Sequence, residues 1–290
     1  MDIFELLDNK FDLCKQVDDL HTMIFGEPVF RNYHNSCTFA KVFNDEFFRS
    51  WKYSKGRLSI EDLLIDVNLY NESEDWPVKI HQEKQAFLFL QFYLNMYIYA
   101  RTHSASLSKY TLNPRNFFEE IDKKCSYILD KSGMKTIMHS NEDYLLIVSN
   151  DEKLRTVAES VDKDTALLLY EYSTPLIKGN ISAKRKILKL LANKYEAVIA
   201  ANSKKYQAGL GKDIFGDLSF CLNNFEIRHS NLDPHSNKYN HLLINYKKDD
   251  FEEIYDTTYQ LMLDASLIDN YSDKLSKTIE RHKKAISSTK

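Results

Sequence analysis

The segment from Glu83 to Arg101 places the strongest constraint on the fold of this chain. Its sequence, EKQAFLFLQFYLNMYIYAR, is apolar on nearly every side of a helix and is interrupted by Gln91 and Asn95. A helix that is apolar all round is normally buried inside a protein. Because the apolar run between its flanking charges is short for a membrane span, we expect a central helix that other helices surround.

Scarce turn residues favour helices over the rest of the chain as well. The 290 residues include only 7 glycines and 5 prolines, and apolar residues recur at helical spacing in several further segments. The period changes over residues 135–139 and 144–149, which are typical of two short strands around a turn. The sequence therefore predicts a mainly helical, all-α fold with one small β-hairpin near residues 135–149.

That hairpin also indicates where the chain divides. We expect an N-terminal helical region over residues 1–133, the hairpin as a boundary over 134–149, and a second helical domain over 150–290. A chain of this length is long enough for two domains of ordinary size. The expected helices cover residues 2–22, 38–51, 60–70 and 83–101, and others start near 114, 162, 180, 213 and 250.

Cysteines, charge and the first residues bear on the compartment. Four widely spaced cysteines without a CxxC pair are typical of core thiols in a reducing environment: Cys14, Cys37, Cys125 and Cys221. The first residues, MDIFELLD, are acidic where a secretory signal is basic. The net charge of -3 produces no strong global field, so any basic surface is local. We expect a cytoplasmic protein without a membrane segment.

Residues 213–241 hold the highest concentration of chemically active side chains. Asp213 is placed to cap a helix. The apolar stripe of that helix comprises Ile214, Leu218, Cys221, Leu222 and Phe225. The same helical phase puts Arg228 on or beside the stripe. Turn residues around Pro234 then end the helix, which leaves three histidines in or beside a loop: His229, His235 and His241.

The end of this helix resembles the motif of HEPN domains, which are small helical domains of bacterial toxins, phage-defence proteins and RNA-processing enzymes. In that family an arginine at a helix end is followed by a polar residue and, after a gap of about four to six residues, by a histidine. Arg228, His229 and His235 match this pattern. The resemblance covers at most about the last 130 residues, the size of an ordinary domain.

The resemblance implies a metal-independent endoribonuclease or an RNA-binding effector, without a cofactor, of the type used in phage defence or toxin–antitoxin systems. Arg228 would clamp the phosphate, His235 would act as base or acid, and His229 would help to orient them. Because such domains dimerise with their motifs facing each other, the expected partners are RNA, a second copy, and an antitoxin or defence-system protein. Asn224 and Asn231 are expected to support the site.

The helix expected after residue 180 is unusually basic. Lys184, Arg185, Lys186 and Lys189 are candidate contacts to the RNA backbone, since phosphate binding depends on lysine and arginine. The ordinary interpretation of such a run is a solvated helix face. From the sequence alone, both interpretations stay open.

Other interpretations of the same loop also stay open. A cation in the last turn of a helix complements the helix dipole without any further role. A metal site formed by His229, Asp233, His235 and His241 is a second alternative, although the spacing matches no familiar motif. The third is a noncatalytic helical protein whose apolar stripe and loop serve dimerisation or bind a protein partner.

Overall fold

The computed structural model divides the chain into two compact units, residues 1–147 and 148–290. We call them the N-terminal and the C-terminal unit. The structure describes residues 11–31, 35–66, 80–111, 114–139, 144–206, 209–230, 232–235, 237 and 239–287. Within these ranges, none of the helices combines the length and the apolar character needed to cross a membrane.

Helices dominate the described part of the N-terminal unit. They are α1 (Leu13–His21), α2 (Phe39–Glu46), α3 (Ile60–Asp66), α4 (Glu83–Thr102) and α5 (Pro114–Lys131). The strands are β1 (Phe30–Arg31), β2 (Ser36–Cys37), β3 (Met134–His139) and β4 (Tyr144–Ser149), and the last two residues of β4 belong to the C-terminal unit. β1 pairs antiparallel with β2, and β3 pairs with β4. A π-helical turn at Thr22–Gly26 extends α1.

The predicted mainly helical fold with a hairpin near residues 135–149 is confirmed. The helices expected over residues 83–101 and from Pro114 are present. The helix expected over residues 38–51 is shorter, since the α-helix ends at Glu46 and a 3-10 turn follows at Phe48–Ser50. Residues 1–10, 67–70 and 140–143, which belong to two expected helices and to the expected turn, lie outside the described residues. The β1–β2 hairpin was not predicted, because strands of two residues show no alternation that a sequence pattern can reveal.

Helix α4 forms the core of the N-terminal unit, as predicted. The side chains on one half of the helix are fully buried, and those on the other half are partly buried. The fully buried ones are Ala86, Phe87, Phe89, Leu90, Tyr93, Leu94, Met96, Tyr97 and Ala100. Side chains from α1 and α2 pack around it, and many of these contacts are between aromatic rings, such as Phe43 against Tyr99 at 6.3 Å between centroids. Aromatic pairs of this kind add stability beyond the area they bury.

The two polar residues that interrupt α4 bind strand β4. Asn95 Nδ2 donates to the carbonyl of Leu145 at 3.0 Å, and Asn95 Oδ1 accepts from the N–H of Leu145 at 2.8 Å. Gln91 Oε1 accepts from the N–H of Ile147 at 3.0 Å. Because backbone groups at a covered strand edge need partners, these two side chains take the place of a neighbouring strand.

Helix α1 carries a buried histidine, His21, whose side chain is 2% exposed. Its ring stacks on Phe25 with 4.7 Å between centroids, and its Nδ1 forms a hydrogen bond with the hydroxyl group of Tyr93. Burial lowers the pKa of His21 from 6.5 to about 4, because the charged ring is poorly solvated there. The imidazole is therefore neutral at pH 7.

Acidification is expected to destabilise the N-terminal unit through His21. The unfolded chain takes up the proton near pH 6.5 and the folded chain only near pH 4. The contribution of His21 to the free energy of unfolding is therefore complete above pH 6.5, and it is lost as the pH falls from 6.5 to 4. The loss is on the order of 3 kcal/mol. Urea unfolding at several pH values measures it. His21→Gln should remove this part of the pH dependence, whereas His103→Gln, at an exposed histidine, should retain it; an unchanged dependence in His21→Gln contradicts the assignment.

The described part of the C-terminal unit is a bundle of helices. They are α6 (Glu152–Ala158), α7 (Lys163–Ser173), α8 (Ile181–Lys205), α9 (Gly209–Asn224) and α10 (Lys248–Ser287). The side chains of Asp162 and Asn180 cap α7 and α8 by accepting backbone N–H groups of their first turns. The core between α8, α9 and α10 includes Leu188, Leu191, Phe215, Leu218, Leu222, Tyr255 and Met262.

Several helix boundaries differ from the expected ones. Helix α9 begins at Gly209 rather than at Asp213, and α10 begins at Lys248 rather than at Asp250. At the start of α10, the Asp250 carboxylate accepts the N–H of Lys247 at 2.7 Å, so Asp250 lies inside the first turn. Helix α6 was not predicted, because seven residues are too few to show a clear helical period.

Candidate functional site

The loop between α9 and α10, residues 225–247, contains the residues of the predicted motif. Helix α9 ends at Asn224, and Glu226 has a left-handed backbone with φ of 64°. The N–H of Arg228 donates to the carbonyl of Leu222 at 3.1 Å, so the chain folds back over the end of the helix. The expectation that the helix continues in phase to Arg228 is therefore wrong.

A buried carboxylate, Glu226, explains why the helix ends there. Its side chain is 5% exposed, and Oε2 lies 3.1 Å from the guanidinium of Arg185 on α8. Oε1 accepts the N–H of Leu232 at 2.8 Å, and Arg185 Nε donates to the backbone carbonyl of Glu226. A buried carboxylate is costly without such partners. These contacts therefore stabilise the structure more than one further helical turn would, and they hold the loop against α8.

Arg228 is half-buried beside α8. Its Nη2 lies 3.5 Å from the carbonyl oxygen of Ala192, which is the outer limit for a hydrogen bond. Among the described residues, no carboxylate lies within ion-pair distance of this guanidinium. Apart from this contact, the guanidinium makes no hydrogen bond or ion pair with the residues that the structure describes, and arginine binds phosphate through a planar fork of N–H donors.

The histidines differ in exposure. His229 is half-buried, whereas His235 and His241 are exposed. The backbone N–H of His235 donates to Oδ1 of Asp233 at 2.9 Å, an arrangement in which an aspartate shapes the turn that follows it. The structure thus places Arg228, His229 and His235 in one loop.

The alternative metal site is not assembled in the part of the loop that the structure describes. Within the described ranges, no group of three or more His, Cys, Asp and Glu side chains is positioned to hold a metal ion. His229, Asp233, His235 and His241 therefore do not converge there.

The two asparagines expected to support the site have different outcomes. Asn224 is the last residue of α9, and its Nδ2 donates to the carbonyl of Phe220 at 2.9 Å. Part of its amide is thus used by its own helix. Asn231 lies outside the described residues.

The four basic residues of α8 that were predicted to contact RNA have two kinds of surroundings. Lys184 is 4% exposed, and Arg185 binds Glu226. Lys186 and Lys189 are exposed and make no ion pair with the described residues. The basic surface expected on this helix is therefore represented by Lys186 and Lys189, while the other two cations contact carboxylates of the same unit.

One face of α8 runs along the motif loop. Arg185 contacts Glu226, and Ala192 contacts Arg228. Lys189 lies four residues after Arg185 and three residues before Ala192, and residues at this spacing share a helix face. Two features that the sequence showed separately, the basic helix and the arginine–histidine motif, are therefore neighbours in the structure.

Lys184 lies at the centre of a network between α8 and α10. Its Nζ is 2.6 Å from Oε1 of Glu252 and 2.7 Å from Oδ1 of Asp256. The hydroxyl group of Tyr172 donates to Asp256 at 2.9 Å, and the N–H of Gly179 donates to Glu252 at 2.7 Å. Burial raises the pKa of Glu252, but the hydrogen bonds from Lys184 and Gly179 outweigh burial and hold this pKa below its ordinary value of 4.5.

Comparisons of the chain with protein-family models, with curated proteins and with solved structures found no match. A functional proposal for this chain therefore depends on its residues and their geometry.

Replacing Lys184 is expected to destabilise the C-terminal unit. Lys184→Met leaves the two carboxylates without their cation, and we expect a loss of about 3 kcal/mol, the low end for breaking a buried pair, because Asp256 keeps contact with water. Thermal and urea unfolding of the full chain measure the change. Lys186→Met, at an exposed lysine of the same helix, should change the free energy of unfolding by less than about 0.5 kcal/mol. Equal stability of the two variants contradicts the assignment.

Removing the Glu226 carboxylate is expected to loosen the motif loop. Glu226→Ala deletes the acceptor for Leu232 and the partner of Arg185, so amide hydrogens over residues 225–235 should exchange about tenfold faster or more, since one hydrogen bond to a charged group contributes about 1.5–3 kcal/mol. Hydrogen exchange followed by mass spectrometry measures this. Glu196→Ala, at an exposed glutamate of α8, is the matched control, and the same exchange in both variants contradicts the role given to Glu226.

Proposed function

We propose that the C-terminal unit is a HEPN-like, metal-independent endoribonuclease that acts in phage defence or in a toxin–antitoxin system. The observation that carries this proposal is the environment of Arg228. Its guanidinium is half-buried, has no carboxylate partner among the described residues, and lies in the same loop as His229 and His235. A cation that pairs with no carboxylate of the described residues is suited to bind a phosphate group.

RNA cleavage without a metal needs three chemical functions. A base removes the proton of the 2′-hydroxyl group, positive charge stabilises the phosphate oxygens, and an acid protonates the leaving 5′-oxygen. Under this proposal, Arg228 stabilises the phosphate and His235 acts as base or acid, because histidine exchanges protons near neutral pH. One loop supplies too few groups for all three functions, so the proposal includes a homodimer in which two loops form one site.

The exposed lysines of α8 extend this proposal to the RNA backbone. Lys189 lies on the helix face that contacts Arg228, and Lys186 is exposed on the same helix. An RNA strand with one phosphate bound at Arg228 has further phosphates along its backbone, and exposed lysines such as these two neutralise them. Under the proposal, these two lysines contribute affinity, whereas Arg228 and His235 contribute to the chemical step.

Loss of either motif residue is expected to abolish cleavage while the fold is kept. Purified protein is incubated with total RNA in the presence of a chelator, and new fragments that end in a 2′,3′-cyclic phosphate are mapped. Arg228→Ala and His235→Ala should each lower the rate at least about 100-fold, the usual effect of removing a charge-stabilising donor or a general acid or base. His241→Ala, at another exposed histidine of the loop, is the matched control.

Two outcomes contradict the nuclease proposal. The first is cleavage that persists in both the Arg228→Ala and the His235→Ala variant. The second is the absence of both RNA cleavage and salt-sensitive RNA binding by the wild-type protein, since binding through Lys186, Lys189 and Arg228 must weaken as salt rises.

A noncatalytic interaction protein is the second candidate, and exposed apolar side chains around the loop favour it. Phe220 and Ile244 are 56% and 57% exposed. Phe220 packs edge-on against Phe225, and Phe225 lies 6.0 Å from Tyr246 between ring centroids. Exposed apolar patches often mark protein interaction sites. This candidate requires dimers or a protein complex without RNA binding, and light scattering combined with an RNA-binding assay separates it from the nuclease.

A further inference from the structure

The N-terminal unit contains a solvent-accessible cavity of about 300 Å³. Three segments of this unit form it: the C-terminal end of α4, residues 50–53 after α2, and the β3–β4 hairpin. This volume is at the lower end of the range for small-molecule sites, about 300–1,000 Å³. It suits a single ring system with one substituent rather than a dinucleotide or a peptide.

Aromatic rings form much of the cavity wall. Trp51, Tyr53, Tyr99 and His103 line it together with Ile98. The ring of His103 stacks on that of Tyr99 with 4.1 Å between centroids. The hydroxyl group of Tyr99 donates to the carbonyl of Ser50 at 3.1 Å, which holds this ring in place. The wall therefore offers fixed ring surfaces, on which flat aromatic ligands stack.

The inner polar groups of the cavity are already used by the fold. The amide of Asn95 binds the backbone of Leu145 on both sides. Nδ1 of His103 lies 2.9 Å from the carbonyl oxygen of Tyr99, and Thr102 donates to the same oxygen. The interior therefore contacts a ligand mainly through its ring surfaces.

A lysine provides the charge of the cavity lining. Lys52 is exposed, its Nζ lies 5.0 Å from the centroid of the Tyr53 ring, and it makes no ion pair with the described residues. None of the described residues that line the cavity is acidic. An aromatic wall beside an ammonium group that no carboxylate of the described residues neutralises is complementary to a flat ring that carries a negative charge.

The backbone that follows Lys52 and Tyr53 is unusual. Lys55 has a φ of 44°, in the left-handed region, and Gly56 follows with a φ of 83°. The next residue, Arg57, binds Asp66 at 2.5 Å, which anchors this turn to α3. A left-handed residue other than glycine is energetically costly and occurs preferentially in functional regions. Here it belongs to the turn that presents Lys52 and Tyr53 to the cavity.

We propose that this cavity binds a small planar aromatic ligand that carries an anionic group. The ring lies against the aromatic wall, and the anion binds at Lys52. Two kinds of small molecule share this chemistry, a nucleoside monophosphate and an aromatic carboxylate. The proposal does not depend on the function of the C-terminal unit, because every residue that it uses belongs to the N-terminal unit.

Titration calorimetry on the full chain tests the proposal. One set of ligands is AMP, GMP, CMP and UMP, and the other is indole-3-acetate and anthranilate. The set that binds shows whether the anionic group is a phosphate or a carboxylate. We expect Lys52→Ala to weaken binding about tenfold, the usual order for a charge-assisted hydrogen bond. Lys123→Ala, at an exposed lysine of α5 away from the cavity, should bind like the wild type.

Filling the cavity provides an independent test. Ile98→Trp is expected to abolish binding of either ligand set, and Met138→Trp, at a lining position that is 56% exposed and therefore tolerant of change, should do the same if Ile98→Trp does not fold. Circular dichroism verifies the fold of each variant. The proposal is overturned if none of the six ligands binds, if Lys52→Ala binds as tightly as the wild type, or if adenosine binds as tightly as AMP when AMP is the ligand.

Discussion

Two consecutive residues of α8 determine how the C-terminal unit is assembled. Lys184 pairs with Glu252 and Asp256 of α10, and Arg185 pairs with Glu226 of the motif loop. Removing charges from water is costly, and only close opposite charges and further hydrogen bonds offset that cost. α8 therefore holds the last helix and the loop in defined positions, and a shift of this helix along its axis would disrupt both sets of contacts at once.

The basic side chains of this unit fall into two groups, those that pair with carboxylates and those without an ion pair to the described residues. Lys184 and Arg185 are neutralised by carboxylates, whereas Lys186, Lys189 and Arg228 have no ion-pair partner among the described residues. Although the whole chain has a net charge of -3, positive charge without an ion-pair partner among the described residues lies along α8 and at Arg228 of the loop. Local surplus of this kind, rather than net charge, determines where an anion binds.

Helical periodicity revealed much of the fold from the sequence alone. It predicted α4 as a buried helix, because apolar residues on every side of a segment leave few other solutions. The roles of Gln91 and Asn95 were not predictable, since their partner is the edge of β4, far away in sequence. Similarly, Lys184, Arg185 and Lys189 look alike along the chain. Only the positions of Glu252 and Glu226 in three dimensions distinguish the two cations that pair with carboxylates from the exposed lysine.

The prediction that His229, His235 and His241 lie in or beside a loop is confirmed, but the predicted path of the chain into that loop is wrong. The apolar stripe of α9 predicted a helix that continues to Arg228, whereas the helix ends at Asn224. Helical periodicity in a sequence indicates which residues can share a helix face. It does not indicate that the Glu226 carboxylate contacts Arg185, which lies far earlier in the chain. This tertiary contact overrides local helix propensity.

The left-handed backbone of Glu226 also limits which amino acids this position tolerates. Glycine and asparagine adopt such a conformation most easily, yet glycine has no side chain, and the asparagine side chain is shorter and uncharged. The backbone at position 226 thus favours glycine or asparagine, whereas the side-chain contacts require a longer, charged residue. Glutamate makes these contacts although its backbone conformation is unfavourable. A mutational scan or a redesign that optimised local backbone preference at this position would select a residue that makes the turn easily but detaches the loop from its helix.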